Sequence, residues 1–226
     1  MSNYSYLRNR TIPSFDSSES DDPMAMVIVV NDTKNHTVYE DDIFKASAKA
    51  VINLLGSDDL SVQESINSWL TGRIRKIVKR ARNKAWDDTH STEQKFSEAT
   101  HASATVRVFA PMHFSDMPQP LKKLQVAGLE AEKTESNETL QNGLNIFIEK
   151  SLQMSTGKTV AQVNHVVQLF LMNGEEEKVN EWISNEFPVR FAFSETLDSY
   201  ESDIIVRDAG FTEIPSGSRT AIGVYL

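Results

Sequence analysis

Residues 144–172 read LNIFIEKSLQMSTGKTVAQVNHVVQLFLM, and two periodicities meet inside them. The first six residues form a short apolar run of strand length. From residue 158 onward, Val163, Val166, Val167 and Phe170 recur at helical spacing. The stretch therefore predicts a strand, a loop and a helix with one inward face. Towards the C-terminus, residues 175–185 predict a second helix carrying Trp182, and residues 189–193 (VRFAF) a strand. Residues 203–206 and 220–225 supply two more.

Working back towards the N-terminus, a similar order precedes it. Residues 24–30 (MAMVIVV) are nearly all apolar and read as a buried strand ending at Asn31-Asp32. Residues 39–55 place Ile43, Ala46, Ala50 and Leu54 on one helical stripe, with Gly56 as the residue after the C-cap. Residues 61–86 read as a longer helix, with Ser61 and Glu64 at capping-box spacing. Residues 87–102 are polar and suggest no element. Residues 105–110 (TVRVFA) alternate as a strand, and 115–128 predict a short helix closed by Gly128. Alternating strands and helices predict an α/β fold, three-layer α/β/α with a mixed central sheet. Strand–helix–helix–strand occurs twice, and VRVFA at 106–110 echoes VRFAF at 189–193, which suggests two related βααβ halves by ancient duplication.

Residues 1–23, with six serines and four acids, predict a disordered tail. Residues 129–143 (LEAEKTESNETLQNG) predict an acidic linker between halves at 24–128 and 144–226. The chain has 226 residues, 39% of them hydrophobic and none of them cysteine. That excludes a disulfide framework and a thiolate metal site. No long apolar window and no apolar leader are present, so the expected address is the cytoplasm, without a membrane partner. No cofactor is implied.

The segment Gly157-Lys158-Thr159 suggests a phosphate-binding loop on sight. That motif needs a glycine six residues before the lysine so that the backbone can wrap phosphates. Leu152 stands there. A nucleotide-hydrolysing loop is excluded on spacing, and thermal shift with added nucleotide is expected to show nothing.

The longer match is with a different pattern. Met154, Gly157, Lys158, Ala161, Gln162 and His165 form one block, and Asp208, Ala209, Gly210, Thr212, Gly217, Ser218 and Thr220 form another. In order and spacing these resemble the two signature blocks of the type-2 peptidyl-tRNA hydrolases, over residues 144–226. More loosely, residues 67–86 (NSWLTGRIRKIVKRARNKAW) and 106–128 (VRVFAPMHFSDMPQPLKKLQVAG) resemble the N-terminal part of longer, two-part bacterial members. The chain departs from the family pattern at Thr156, often a second lysine, and at Val163, often a cysteine. It departs also at Phe211, usually polar or basic, at Glu213, usually glutamine, and in the nine residues 194–202, where a full helix is usual.

The resemblance implies hydrolysis of the ester between a peptide and the terminal ribose of tRNA. It casts Asp208 as base or water-orienting group, Lys158 as its electrostatic partner, and Gln162, Thr212 and Thr220 as supporting polar groups. A structural Lys158–Asp208 pair that caps the helix remains the alternative, as does a tRNA- or RNA-binding relative that cleaves nothing. His165, two turns into the helix, belongs to the first block and reads more readily as a hydrogen-bonded structural residue. The other histidines show no ligand spacing, so no metal site is expected. A homodimer, or a pseudo-dimer of the two halves within one chain, is a further expectation from the family.

Net charge is −9, yet seven bases fall within residues 72–86 without one acid: Arg73, Arg75, Lys76, Lys79, Arg80, Arg82 and Lys84. On a helix, Ile74, Ile77, Val78, Ala81 and Ala85 would form one apolar stripe and the bases the remainder. Such segregation points to a polyanion, nucleic acid being the expected partner and an anionic lipid or protein the alternative; that the nucleic acid is tRNA is what the family resemblance implies.

Overall fold

The computed structural model describes residues 4–8, 20–32, 37–133 and 142–226. The chain divides into two compact units, Thr11–Glu132 and Met1–Arg10 with Lys133–Leu226. The expected α/β class holds, but the one expected central sheet is two mixed sheets, one in each unit.

In the unit Thr11–Glu132, β1 (Met24–Asn31) is followed by α1 (Glu40–Leu55), α2 (Leu60–Trp69) and β2 (Lys76–Ala81). After them come α3 (Lys84–His90), β3 (Phe96–His101), β4 (Ala104–Phe109), β5 (Met112–His113) and α4 (Gln119–Lys122). The strand order is β2-β1-β4-β3, with β5 also pairing with β1. β1 is interior and buried from Ala25 to Val30, which is why its sequence is an unbroken apolar run. α1 starts with Glu40, Asp41 and Asp42, three acids in the turn where the helix dipole favours negative charge. Gly56 follows it at φ −93°, so no left-handed conformation is required there. The cap of α2 is Asp59, whose side chain accepts the Ser61 N–H, rather than Ser61 itself.

Two expectations fail here for physical reasons. The long basic helix over 61–86 does not form: α2 ends at Trp69, and Lys76–Ala81 is a strand running parallel to β1, Met26 opposite Lys76 through Asn31 opposite Ala81. The stretch KIVKRA carries β-branched Ile77 and Val78, and pairing with the interior strand outweighs a helical stripe that fits equally well on paper. The polar stretch 87–102 holds the last four residues of α3 and all of β3. Among the described strands β3 pairs with β4 alone and is mostly half-buried or exposed, so it carries no apolar alternation to read. Glu98 on β3 accepts from Arg107 Nε of β4 at 2.6 Å, and the same guanidinium donates to Trp86 O and Thr89 Oγ1 while lying over the Trp86 ring.

The other unit carries β6 (Leu144–Glu149), α5 (Thr156–Asn173), α6 (Glu176–Ser184), β7 (Val189–Ser194), β8 (Ile204–Arg207) and β9 (Arg219–Tyr225). Its strand order is β7-β6-β9-β8, with β7 parallel and β9 antiparallel to β6. The first unit's β2 and β4 lie parallel and antiparallel to β1 in the same way. Both units therefore share one connectivity: strand, two helices, a parallel neighbour, then a hairpin whose second strand lies on the other side of the first. The duplication reading gains a topological basis, while the echo between VRVFA and VRFAF loses it. The first lies in β4, equivalent to β9, and the second in β7, equivalent to β2.

The chain's first described residues contradict a wholly disordered tail. Ser5–Leu7 form a 3-10 turn within the unit of α5, with Leu7 fully buried and Tyr4 nearly so. Residues 9–19 of the expected tail and 134–141 of the expected linker lie outside the described residues. Among the described residues, no helix is long and apolar enough to cross a membrane.

Candidate active site

The N-terminus of α5 is set by Ser155, whose Oγ accepts the Lys158 N–H at 3.2 Å and whose carbonyl accepts the Thr159 N–H and hydroxyl. Lys158 is thus the third residue of the helix. Across from it, Asp208 follows the last residue of β8 and is held by its backbone: its N–H donates to Ser218 O at 2.9 Å and its carbonyl accepts from Gly217 N–H at 2.7 Å. Its carboxylate bonds back to the Gly210 N–H at 2.8 Å, the turn an Asp-x-Gly sequence favours. Gly210 sits at φ +79°, and a Cβ there would lie 2.8 Å from the Ser216 backbone nitrogen, so glycine is required.

Between β8 and β9 the register slips: Val206 faces Ala221, but Arg207 faces Arg219, leaving Thr220 without a partner on the ladder. Such a bulge re-aims the extra residue. Thr220, fully buried, donates to Gln162 Oε1 of α5 at 2.8 Å. Gln162 in turn donates through Nε2 to Asp208 Oδ2 at 2.9 Å. The same Oδ2 accepts from Lys158 Nζ, and that ammonium donates to Thr212 Oγ1 at 2.9 Å. Gln162 can serve Asp208 in only one orientation, because flipping its amide would set two acceptors against each other.

Of the residues singled out from sequence, Lys158, Asp208, Gln162, Thr212 and Thr220 form this one connected network. The pair at its centre is largely closed to solvent, with side-chain exposures of 13% for Lys158 and 6% for Asp208, while Thr212 is exposed. His165 is not brought to it. It sits half-buried, seven residues along α5 from Lys158, about 10 Å of helical rise away. One contact was not anticipated: Glu213 Oε1 accepts from both the N–H (2.9 Å) and the hydroxyl (3.0 Å) of Ser155, tying the loop to the start of α5. The signal was the cap position of Ser155, but its partner is 58 residues away. Among the described residues, no three His, Asp or Glu side chains are grouped to hold a metal ion.

The equivalent place in the other unit is filled differently. The third residue of α1 is Asp42, which accepts from the N–H (3.1 Å) and hydroxyl (2.6 Å) of Ser103, in the turn joining β3 to β4. An acid and a hydroxyl thus stand where α5 and the β8–β9 loop bring a lysine and a carboxylate together.

The basic segment is largely engaged within its own unit. Lys76 and Lys79 are buried; burial pushes the Lys76 ammonium well below the usual lysine range, and it lies over the Trp69 ring. Lys79 donates to Leu124 O, Arg80 to Asp32 and Ala127 O, and Arg82 to the carboxylate and carbonyl of Asp32. Arg73 and Arg75 are half-buried, which leaves Lys84 as the exposed base of the seven. Replacing both Arg80 and Arg82 by glutamine is therefore expected to lower stability by about 2–3 kcal/mol, by stranding buried Asp32. Denaturant unfolding of the double variant beside the wild type checks it.

No family model matches the chain, and no solved structure matches it. Among curated proteins it is similar to the peptidyl-tRNA hydrolase of Methanothermobacter thermautotrophicus, 32% identical over 90 residues. The aligned part is 35% of this chain and 80% of that relative. On that coverage, the chain belongs to the peptidyl-tRNA hydrolase family.

Proposed function

We propose that the chain hydrolyses the ester of peptidyl-tRNA, releasing free tRNA, with its chemistry at the Lys158–Asp208 pair and in the type-2 manner that the two motif blocks suggest. The observation that carries this reading is the single network joining Lys158, Asp208, Gln162, Thr212 and Thr220. Ester hydrolysis needs a water delivered to the carbonyl carbon and a donor for the negative charge that gathers on the carbonyl oxygen. An ammonium has three protons. Asp208 and Thr212 take two from Lys158, and the third is directed to the oxyanion.

Asp208 holds Lys158 in place, and its Oδ1, which accepts from the Gly210 N–H, has a lone pair left for the attacking water. The water oxygen bonds to the carbonyl carbon and the C=O pair moves onto oxygen. Collapse then breaks the bond to the ribose oxygen, which leaves with a proton derived from that water. The products are a peptide carboxylic acid and a free ribose hydroxyl. Burial of the pair supports the electrostatics, because a donor acts more strongly where water is excluded.

The test is release of N-acetyl-amino acid from N-acetyl-aminoacyl-tRNA by the full chain. Turnover with multiple cycles is the expected result. Binding of the tRNA without cleavage would make the chain a non-catalytic RNA-binding relative.

A further inference from the structure

Lys158 is tied to the loop that follows β8 at both ends of its side chain. At the tip, its ammonium donates to Asp208 Oδ2 and Thr212 Oγ1. At the root, its N–H donates to Ser155 Oγ, and that same hydroxyl donates to Glu213 Oε1 at 3.0 Å. The Ser155 N–H donates to the same carboxylate oxygen at 2.9 Å, so Glu213 takes both polar hydrogens of the cap residue. Thr212 and Glu213 are adjacent in the loop, and Ser155 and Lys158 lie about one turn apart at the start of α5. Two neighbouring residues therefore grip one edge of the helix. The grip is helped by its place, because a carboxylate suits the positive end of a helix dipole.

A lysine ammonium rides on a flexible four-carbon stem. Bonds from its tip to Asp208 and Thr212 cannot by themselves set the distance between helix and loop, because the stem follows whichever way the loop moves. The clasp on Ser155 can set it, since it joins the loop to the backbone N–H and the hydroxyl of the helix cap. Glu213 itself is exposed, while the next residue, Ile214, is buried and seats the loop in the core. We infer that Glu213 is a positioning residue: its clasp on Ser155 sets the separation at which Asp208 and Thr212 meet the Lys158 ammonium. This deepens the hydrolase reading and rests on it, but it can fail separately.

The experiment compares Glu213→Ala, Glu213→Gln and Glu213→Asp in the full chain. Glutamine keeps an accepting oxygen at the same reach, whereas aspartate keeps the charge on a stem one methylene shorter. For N-acetyl-aminoacyl-tRNA, the alanine variant is expected to lower kcat by about 10- to 100-fold, the scale on which a misplacement of up to about 1 Å acts, with KM changed far less. Glutamine should recover most of that loss and aspartate little of it. Wild-type kcat in the alanine variant overturns the inference, as does failure of glutamine to recover the loss, which would make the charge of Glu213 and not its clasp the operative feature. The second readout needs no turnover. In the wild type, the Ser155 N–H should be protected from hydrogen exchange, and the Lys158 ammonium should give a resolved signal in NMR of the lysine side-chain nitrogens. Both should be lost in Glu213→Ala and kept in Glu213→Gln. That pattern in a chain that cleaves no ester would leave the positioning role standing while the hydrolase reading falls. A Ser155 N–H that exchanges freely in the wild type, or a Lys158 signal indifferent to Glu213→Ala, overturns the inference whether or not the ester is cleaved.

Discussion

Asp208→Asn is expected to lower kcat for N-acetyl-aminoacyl-tRNA by about 10²- to 10⁴-fold while the protein stays folded. The substitution keeps shape and volume, so its effect is electrostatic and geometric. The Asp208 carboxylate accepts from Lys158 Nζ and Gln162 Nε2 on one oxygen and from the Gly210 N–H on the other. An asparagine has one acceptor oxygen; turned either way, its NH₂ meets a donor, and the Lys158 ammonium loses its counter-charge. Lys158→Met, which keeps the apolar stem, should cost a similar factor by removing the oxyanion donor. If the two groups act as a unit, the double variant will be little worse than either single one. Retention of wild-type kcat within a few-fold by Asp208→Asn would reduce the pair to a structural bridge. Asp208→Ala is a poorer probe, because stranding a lysine that is only 13% exposed should cost about 3–5 kcal/mol and confuse folding with chemistry. Asp42→Asn, at the equivalent place in the other unit, is the matched control and should leave kcat unchanged.

The unit of α5 could be read from sequence because its signals are local. β6 is an apolar run, α5 has one apolar stripe, and Lys158 and Asp208 each stand in a compact motif block. What sequence could not show was the connection between these pieces. The Thr220 bulge and the Ser155–Glu213 clasp are made by residues far apart in the chain, and a register slip leaves no mark on periodicity. In the other unit, the helix expected over 61–86 fails beyond Trp69 because Ile74, Ile77, Val78, Ala81 and Ala85 satisfy a helical stripe while tertiary pairing with β1 makes Lys76–Ala81 a strand. Its bases looked available because their acceptors, Asp32 and the carbonyls of Leu124 and Ala127, lie 45 or more residues away. β3 was missed for the opposite reason: an edge strand has too little buried surface to need an apolar pattern. Shared strand order, visible only in the folded chain, is what relates the two halves.

Leu7→Ala is expected to destabilise the unit of α5 by about 3 kcal/mol, the cost typical of emptying a fully buried leucine site. Composition alone marks residues 1–23 as tail-like, and on that reading the substitution would do nothing. Instead, the turn Ser5–Leu7 places Leu7 in the core, and the Tyr4 ring meets Phe187 edge to face at 6.1 Å. Arg8 donates to Gly174 O at 2.7 Å, just past the end of α5. There its charge suits the negative end of the helix dipole, beside carbonyls that the helix leaves unpaired. Phe187 packs on Trp182, which is fully buried and contacts Phe170 of α5, so the turn rests on the same helix whose other end presents Lys158. Titration supplies an independent check. Burial pushes the Tyr4 phenol up from 10.0 to about 12, so the unfolded chain gives up this proton before the folded one does. The stability this group contributes is complete below pH 10 and falls as pH rises from there to about 12. Tyr4→Phe keeps the ring and should remove that part of the alkaline loss when denaturant midpoints are compared at about pH 8 and about pH 11. Equal midpoints for wild type and Leu7→Ala, with the Tyr4→Phe variant indistinguishable from wild type at high pH, would show that the turn contributes nothing to the core and return residues 4–8 to the tail.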